Sequence, residues 1–255
     1  MMQYWFVVVF ALSLINIAFA DEPIPITASG TMDQVRFDGK WSFETEWKQA
    51  SLNTYAYGDE IMILRSAHQG DFVYILIDMY TDVSVDKEDK AIVCFDAGNE
   101  KNTIADSNDF CFMALMSIDT GITYQGSKKG DHNFELVENH PELIAIGGQS
   151  DENDRYSTIP HSSYEFKIPT EVIGRNSVYG FYLSVFDANS QNYYSYPLNI
   201  TSISIFSSPS QWGEIYSPDK SLPEFDLPLL LMFPALGIVL YFTRRQRITE
   251  NSEHE

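Results

Sequence analysis

From residue 30 to residue 207 the chain is a succession of short apolar runs separated by polar turns rich in Gly, Asp and Asn. In residues 72–80, Val73, Ile75, Ile77 and Met79 fall on one face and Phe72, Tyr74 and Leu76 on the other. That pattern predicts a central strand covered on both sides. Residues 91–95 and 110–117 predict two more strands, joined by a loop of Asp and Asn. Tyr164, Phe166 and Ile168 alternate with Glu165 and Lys167, which predicts a half-buried strand. Residues 32–37, 61–64, 133–137, 178–186, 192–197 and 200–206 complete the expected set. Turns are expected at 38–39, 66–70 and 121–131, an extended lead-in at 21–29, and a short plug at 42–50. Residues 169–174, with Pro at the start and Gly at the end, predict one helical turn. Many strands at short spacing with almost no amphipathic helix predict an all-β antiparallel sandwich over residues 30–207.

The two ends follow a different rule. Residues 1–20 are apolar and finish with small residues at Ala18 and Ala20, directly before Asp21, Glu22 and Pro23. This predicts a secretory signal peptide, with an uncleaved anchor as the alternative because no Lys or Arg precedes the apolar run. Residues 225–243 hold about sixteen apolar residues, or about 24 Å of helix. Arg244, Arg245 and Arg247 follow, as at a positive-inside stop. The expectation is a single C-terminal transmembrane helix, short but workable with snorkelling. Residues 208–224 are then a linker, 244–255 a cytoplasmic tail, and the sandwich an extracellular domain at the cell membrane. Pro223, Glu224 and Phe225, the apolar segment and the Arg cluster together resemble the C-terminal sorting signal of archaeal surface proteins. That resemblance implies processing by a transpeptidase of the archaeosortase type, with retention as a simple anchor the other outcome.

Charge narrows the partners. A formal net charge of -20, from 16 Lys+Arg against 36 Asp+Glu, repels phosphate backbones and excludes nucleic acid as the ligand. Cys94 and Cys111 fall in apparent adjacent strands, where export permits a disulfide; two buried free thiols are the alternative. No G-x-S-x-G, H-E-x-x-H or P-loop pattern occurs, and Glu44 and Glu46 do not by themselves make a glycosidase pair. The expectation is a protein without catalytic function. Asn199-Ile-Thr201 is the one N-glycosylation sequon.

Four pieces in order carry a resemblance to the family 9 carbohydrate-binding modules and the wider DOMON-like sandwiches. They are Phe37-Asp-Gly-Lys40 with Glu46-Trp47; Asp71-Phe-Val-Tyr-Ile-Leu-Ile77; Ala91-Ile-Val-Cys-Phe-Asp96 with Asn108-Asp-Phe-Cys-Phe112; and Tyr164-Glu-Phe-Lys-Ile-Pro169 with Tyr179-Gly-Phe181 and Phe186-Asp-Ala188. The resemblance implies non-catalytic binding of an extracellular glycan or matrix component. Sugar recognition needs exposed aromatic faces beside amides and carboxylates. Trp41, Tyr193, Tyr194 and Tyr196 are the candidates, and Trp212 is either another or an interfacial anchor. Asp96, Asn99, Asp106, Asn108 and Asp109 offer hard oxygens suited to Ca²⁺, and family members carry structural calcium; a solvated acidic loop is the alternative. Two rival functions stand beside glycan binding. One is a structural envelope or adhesion protein with no small ligand. The other is a haem-binding DOMON-like electron-transfer domain, with Met79, Met113, Met116 and His68 as ligands.

Overall fold

A computed structural model describes residues 22–198, 200 and 204–218. The signal peptide 1–20, the sorting motif Pro223–Phe225, the span 225–243, the tail 244–255 and the sequon residues Asn199 and Thr201 lie outside the described residues. No helix among the described residues is long and apolar enough to cross a membrane.

The described chain is almost entirely strand. In order these are β1 (Ile24–Pro25), β2 (Thr27–Ala28), β3 (Ser51–Tyr57), β4 (Glu60–Gln69), β5 (Phe72–Met79), β6 (Lys90–Asp96) and β7 (Asp109–Leu115). Then follow β8 (Ile118–Asp131), β9 (Phe134–Val137), β10 (Ile144–Gln149), β11 (Ser162–Pro169), β12 (Val178–Asp187), β13 (Asn192–Tyr196) and β14 (Gly213–Tyr216). One turn of helix, α1 (Thr170–Ile173), lies between β11 and β12. Two sheets result. One runs β1-β14-β12-β6-β7-β8-β9, with β13 also on β12, and the other β10-β11-β5-β4-β2, with β3 also on β4. All pairs are antiparallel except β1 with β14 and β2 with β4.

Strand alternation sorts the side chains into three apolar layers. Ile75, Ile77, Val93, Phe95, Phe181 and Leu183 fill the space between the sheets. The outer face of the larger sheet buries Ile92, Cys94, Cys111 and Tyr182 under Ala105, Ile205 and Trp212. The outer face of the smaller sheet buries Tyr74 and Leu76 under Met32, Trp41 and Trp47. Both central strands are thus covered on each side, as residues 72–80 predict.

Several local expectations are corrected. Residues 32–37 begin with a 3-10 turn, Met32–Gln34, rather than a strand, because this segment covers a sheet instead of pairing with it. Residues 66–70 belong largely to β4, and the turn falls at Gly70. Residues 121–131 are strand, not turn. Residues 200 and 204–206 are not in a strand. Residues 208–218, expected in the linker, supply β14 to the larger sheet, and Trp212 is buried in a stack with Tyr182 and Phe134. The lead-in 21–29 is split between the sheets, β1 in one and β2 in the other.

Candidate functional site

The Asp38-Gly39 turn and Glu46-Trp47 prove to be a fastening. Glu165, expected on a solvent face, is fully buried beneath residues 38–47. Its carboxylate accepts the backbone N–H groups of Asp38 at 2.9 Å and Gly39 at 2.8 Å and the indole N–H of Trp47 at 2.9 Å. Glu46 in turn accepts the N–H groups of Arg36 and Ser42, at 2.7 and 2.6 Å. Burial, opposed by these donors, pushes the Glu165 carboxyl up to about 8. Gly39 has φ +82°, and a Cβ there would lie 2.5 Å from the Gly148 nitrogen, so the turn presses directly on β10.

Trp41 does not present a free ring. It is 1% exposed, with the guanidinium groups of Arg65 and Arg155 centred 5.4 and 5.7 Å from its ring and Tyr156 edge-on at 5.8 Å. It packs within the N-terminal cover rather than standing exposed as an open stacking face. A shallow recess lined by Phe43, Glu44, Asn153 and Arg155 lies over it.

The three tyrosines of β13 separate by alternation. Tyr193 points to the outer face and packs on Phe186 at 4.9 Å, whereas Tyr194 and Tyr196 turn inward and are buried. Tyr194 meets Tyr57 at 5.4 Å and Tyr196 meets Tyr55 at 5.3 Å, so edge strands β3 and β13 of opposite sheets close on each other through rings. At the Tyr196 end this contact opens into a cleft of about 440 Å³ lined by Glu22, Pro23, Asn53, Tyr55, Tyr196 and Tyr216. The Tyr196 hydroxyl donates to the Glu22 carbonyl at 3.1 Å and lies 3.3 Å from that of Glu214. Gly213 makes room for this ring, since a Cβ there would lie 2.5 Å from the hydroxyl. The Asn53 Nδ2 is buried and donates to nothing. Of the aromatic candidates, Tyr196 alone reaches this cleft. Asn53, Tyr55, Tyr216 and Glu22 were not anticipated, although Asn53, Tyr55 and Tyr57 alternating with Leu52, Thr54 and Ala56 ahead of Gly58 is a legible strand signal.

The candidate ligands of the acidic loop lie at the facing ends of β6 and β7 and in the loop between them. Asp96 and Asp109 are 1% and 2% exposed. Loop backbone N–H groups hold one oxygen of each acid: Lys101 on Asp96 at 2.8 Å, Asp106 on Asp109 at 2.8 Å and Asn108 on Asp106 at 3.1 Å. Asp96 Oδ1, Asn99 Oδ1 and Asn108 Oδ1 are buried without hydrogen-bond partners. Burial, then the carboxylates of Asp96, Asp106 and Glu100, raise the Asp109 carboxyl to about 7. Asn99 Nδ2 and Lys101 Nζ also reach Glu214 on β14, at 3.1 and 3.0 Å.

Cys94 and Cys111 stand directly opposite in the β6–β7 register and form a disulfide. The haem candidates do not converge. Met79 is in the central layer, Met113 in the outer layer of the larger sheet, and His68 sits on β4 with Nε2 3.1 Å from Ser217 Oγ.

No family model matches the chain, and no curated protein matches it in sequence. Two similar solved structures are of a family 9 carbohydrate-binding module from Caldicellulosiruptor kristjanssonii, one in complex with cellotriose and one with glucose. Their TM-scores are 0.49 and 0.48; each is 14% identical to this chain and covers 77% of it, and the matches span 93% and 95% of those chains.

Proposed function

We propose that this protein is a non-catalytic glycan-binding β-sandwich, displayed outside the cell and held at the membrane by its C-terminal segment. The observation that carries the reading is the cleft beside Tyr196. The half-buried rings of Tyr55 and Tyr216 line it beside the buried Tyr196, and the Asn53 Nδ2 is buried there without an acceptor. Rings stack on the apolar face of a pyranose, and an amide of this kind gains its missing bond from a sugar hydroxyl. On this reading Asp96, Asn99, Asp106, Asn108 and Asp109 hold a structural Ca²⁺, to which the three unpartnered oxygens are the fitting donors. The signal peptide 1–20 exports the domain. The apolar segment 225–243 anchors it until, or unless, an archaeosortase-type enzyme acts at Pro223–Phe225.

A glycan array probed with the purified protein tests the assignment. Binding to one or more glycans is expected, weakened at least tenfold by Tyr216→Ala, a half-buried residue outside the three apolar layers, whose truncation leaves the core intact. An array at background, or binding indifferent to Tyr216→Ala, overturns it.

A further inference from the structure

A second cluster lies far in sequence from the acidic loop, on the outer face of the smaller sheet beneath the loop 150–161. Asp78 of β5 and His161, just ahead of β11, are fully buried, and Asp154 is 8% exposed. One ligating atom from each lies within 4.8 Å of the other two. His161 Nε2 is 2.6 Å from Asp78 Oδ1 and 3.8 Å from Asp154 Oδ1. The first is an ion-pair contact; by strict hydrogen-bond geometry Nε2, both oxygens of Asp78 and Asp154 Oδ2 have no partner. An imidazole and two carboxylates buried together are costly unless their charges are balanced, by a proton at Nε2 or by a cation bound between them.

The other side of the imidazole fixes its orientation. His161 Nδ1 lies 2.8 Å from the Ile159 carbonyl, an acceptor only, so Nδ1 carries a proton and donates it there. Ser150 Oγ, 2.8 Å from the same nitrogen, accepts the backbone N–H of His161 at 2.9 Å. Ser150, His161 and Asp78 therefore stand in the order of a hydrolytic triad, but a protonated Nδ1 cannot take a proton from the serine, which is itself buried. With Nδ1 committed to the Ile159 carbonyl, Nε2 is the nitrogen that faces the two carboxylates, as an N–H towards Asp78 or, once that proton is displaced, as a metal ligand. Asp154 is oriented by the N–H groups of Tyr156 and Ser157, at 2.7 and 3.2 Å from Oδ1, the oxygen that also lies 3.8 Å from His161 Nε2, and its Oδ2 has no partner. The nearby cation, Arg65, is committed to the Tyr156 hydroxyl and the Ala50 carbonyl.

We propose that Asp78, Asp154 and His161 bind a first-row divalent metal ion of the zinc class, which clamps the loop 150–161 onto the sheet. One imidazole nitrogen and two carboxylate oxygens suit such an ion, whereas Ca²⁺ takes an all-oxygen shell of six to eight ligands. Ligand atoms around zinc stand about 3.3 Å apart at the usual bond lengths of about 2.0–2.1 Å. The Asp78 carboxylate, held by no hydrogen bond, opens to that separation on binding. The backbone carbonyl on Nδ1 and the two N–H groups on Asp154 are the supports that metal ligands characteristically carry.

The test uses the full chain, stripped with a chelator and titrated with Zn²⁺ alone, the bound metal being counted by elemental analysis after dialysis. One zinc per chain is expected, with a rise in the thermal midpoint. Asp154→Asn keeps the acceptor for Tyr156 and Ser157 and should weaken zinc binding at least tenfold while the protein stays folded. Asp106→Asn, in the acidic loop, should leave it unchanged, which separates this site from the calcium reading. Sub-stoichiometric zinc in the wild type, zinc binding indifferent to Asp154→Asn, or a His161 imidazolium persisting at saturating zinc by ¹⁵N NMR overturns the proposal.

Discussion

Glu165 shows how a single side chain can organise a covering layer. Its neighbours along β11 made it look solvent-facing, because alternation reports which face a residue is on and not whether another segment covers that face. The covering segment, residues 32–50, has no strand or helix period of its own, so its docking was not legible. The Asp38-Gly39 and Glu46-Trp47 pieces were visible, but their role as the grip on Glu165 was not. The carboxyl is raised from an ordinary 4.5 to about 8, so between those values the folded chain binds more protons than the unfolded chain. Stability from this group is therefore lost as pH rises from about 5 to about 8. Denaturant unfolding at pH 5 and pH 8 should show that loss, and Glu165→Gln should flatten it. The same variant should cost about 1–3 kcal/mol at pH 5, since its amide NH₂ must face either the Trp47 indole N–H or the two backbone N–H groups.

Strands with apolar residues on both faces were the easiest elements to anticipate, and β5, β6, β7, β11 and β12 lie within a few residues of their expected bounds. Less apolar strands were harder: β3 has a polar, exposed face, β8 carries glycines that imitate a turn, and β14 sits between Pro209 and Pro218 in a stretch that reads as linker. The cleft is built largely from these strands, which is why Asn53, Tyr55 and Tyr216 were not anticipated as its lining. The cysteine pair lies instead between two well-marked strands. Residues 94 and 111 face each other across β6 and β7 and close a loop with a separation of 17 residues. Replacing both by Ala should cost about 3 kcal/mol, or a fall of about 6–12 °C in the melting midpoint for a domain of this size, measured by calorimetry. A comparable fall is expected on adding reductant to the wild type.

At the scale of the molecule, the acidic loop and the last strand close the structure together. Asn99 and Lys101 reach Glu214, and Ser208 Oγ donates to the Thr103 carbonyl at 2.6 Å. If the loop holds calcium, removing the ion loosens this closure. Calcium at one hundred times its dissociation constant should raise stability by about 2.7 kcal/mol, which corresponds to about 5–10 °C in the melting midpoint. Asp109→Asn, which keeps the acceptor for the Asp106 N–H, should abolish the increment. The parallel pairing of Ile24 with Ile215 and Pro25 with Tyr216 has a mechanical meaning. It sets the entry and exit of the sandwich side by side, and Tyr216 lies on the cleft wall two residues before Pro218. On the proposed function, a sugar held there and an anchor beyond Pro218 would load the same strand, whose backbone hydrogen bonds to both β12 and β1 would then share the tension.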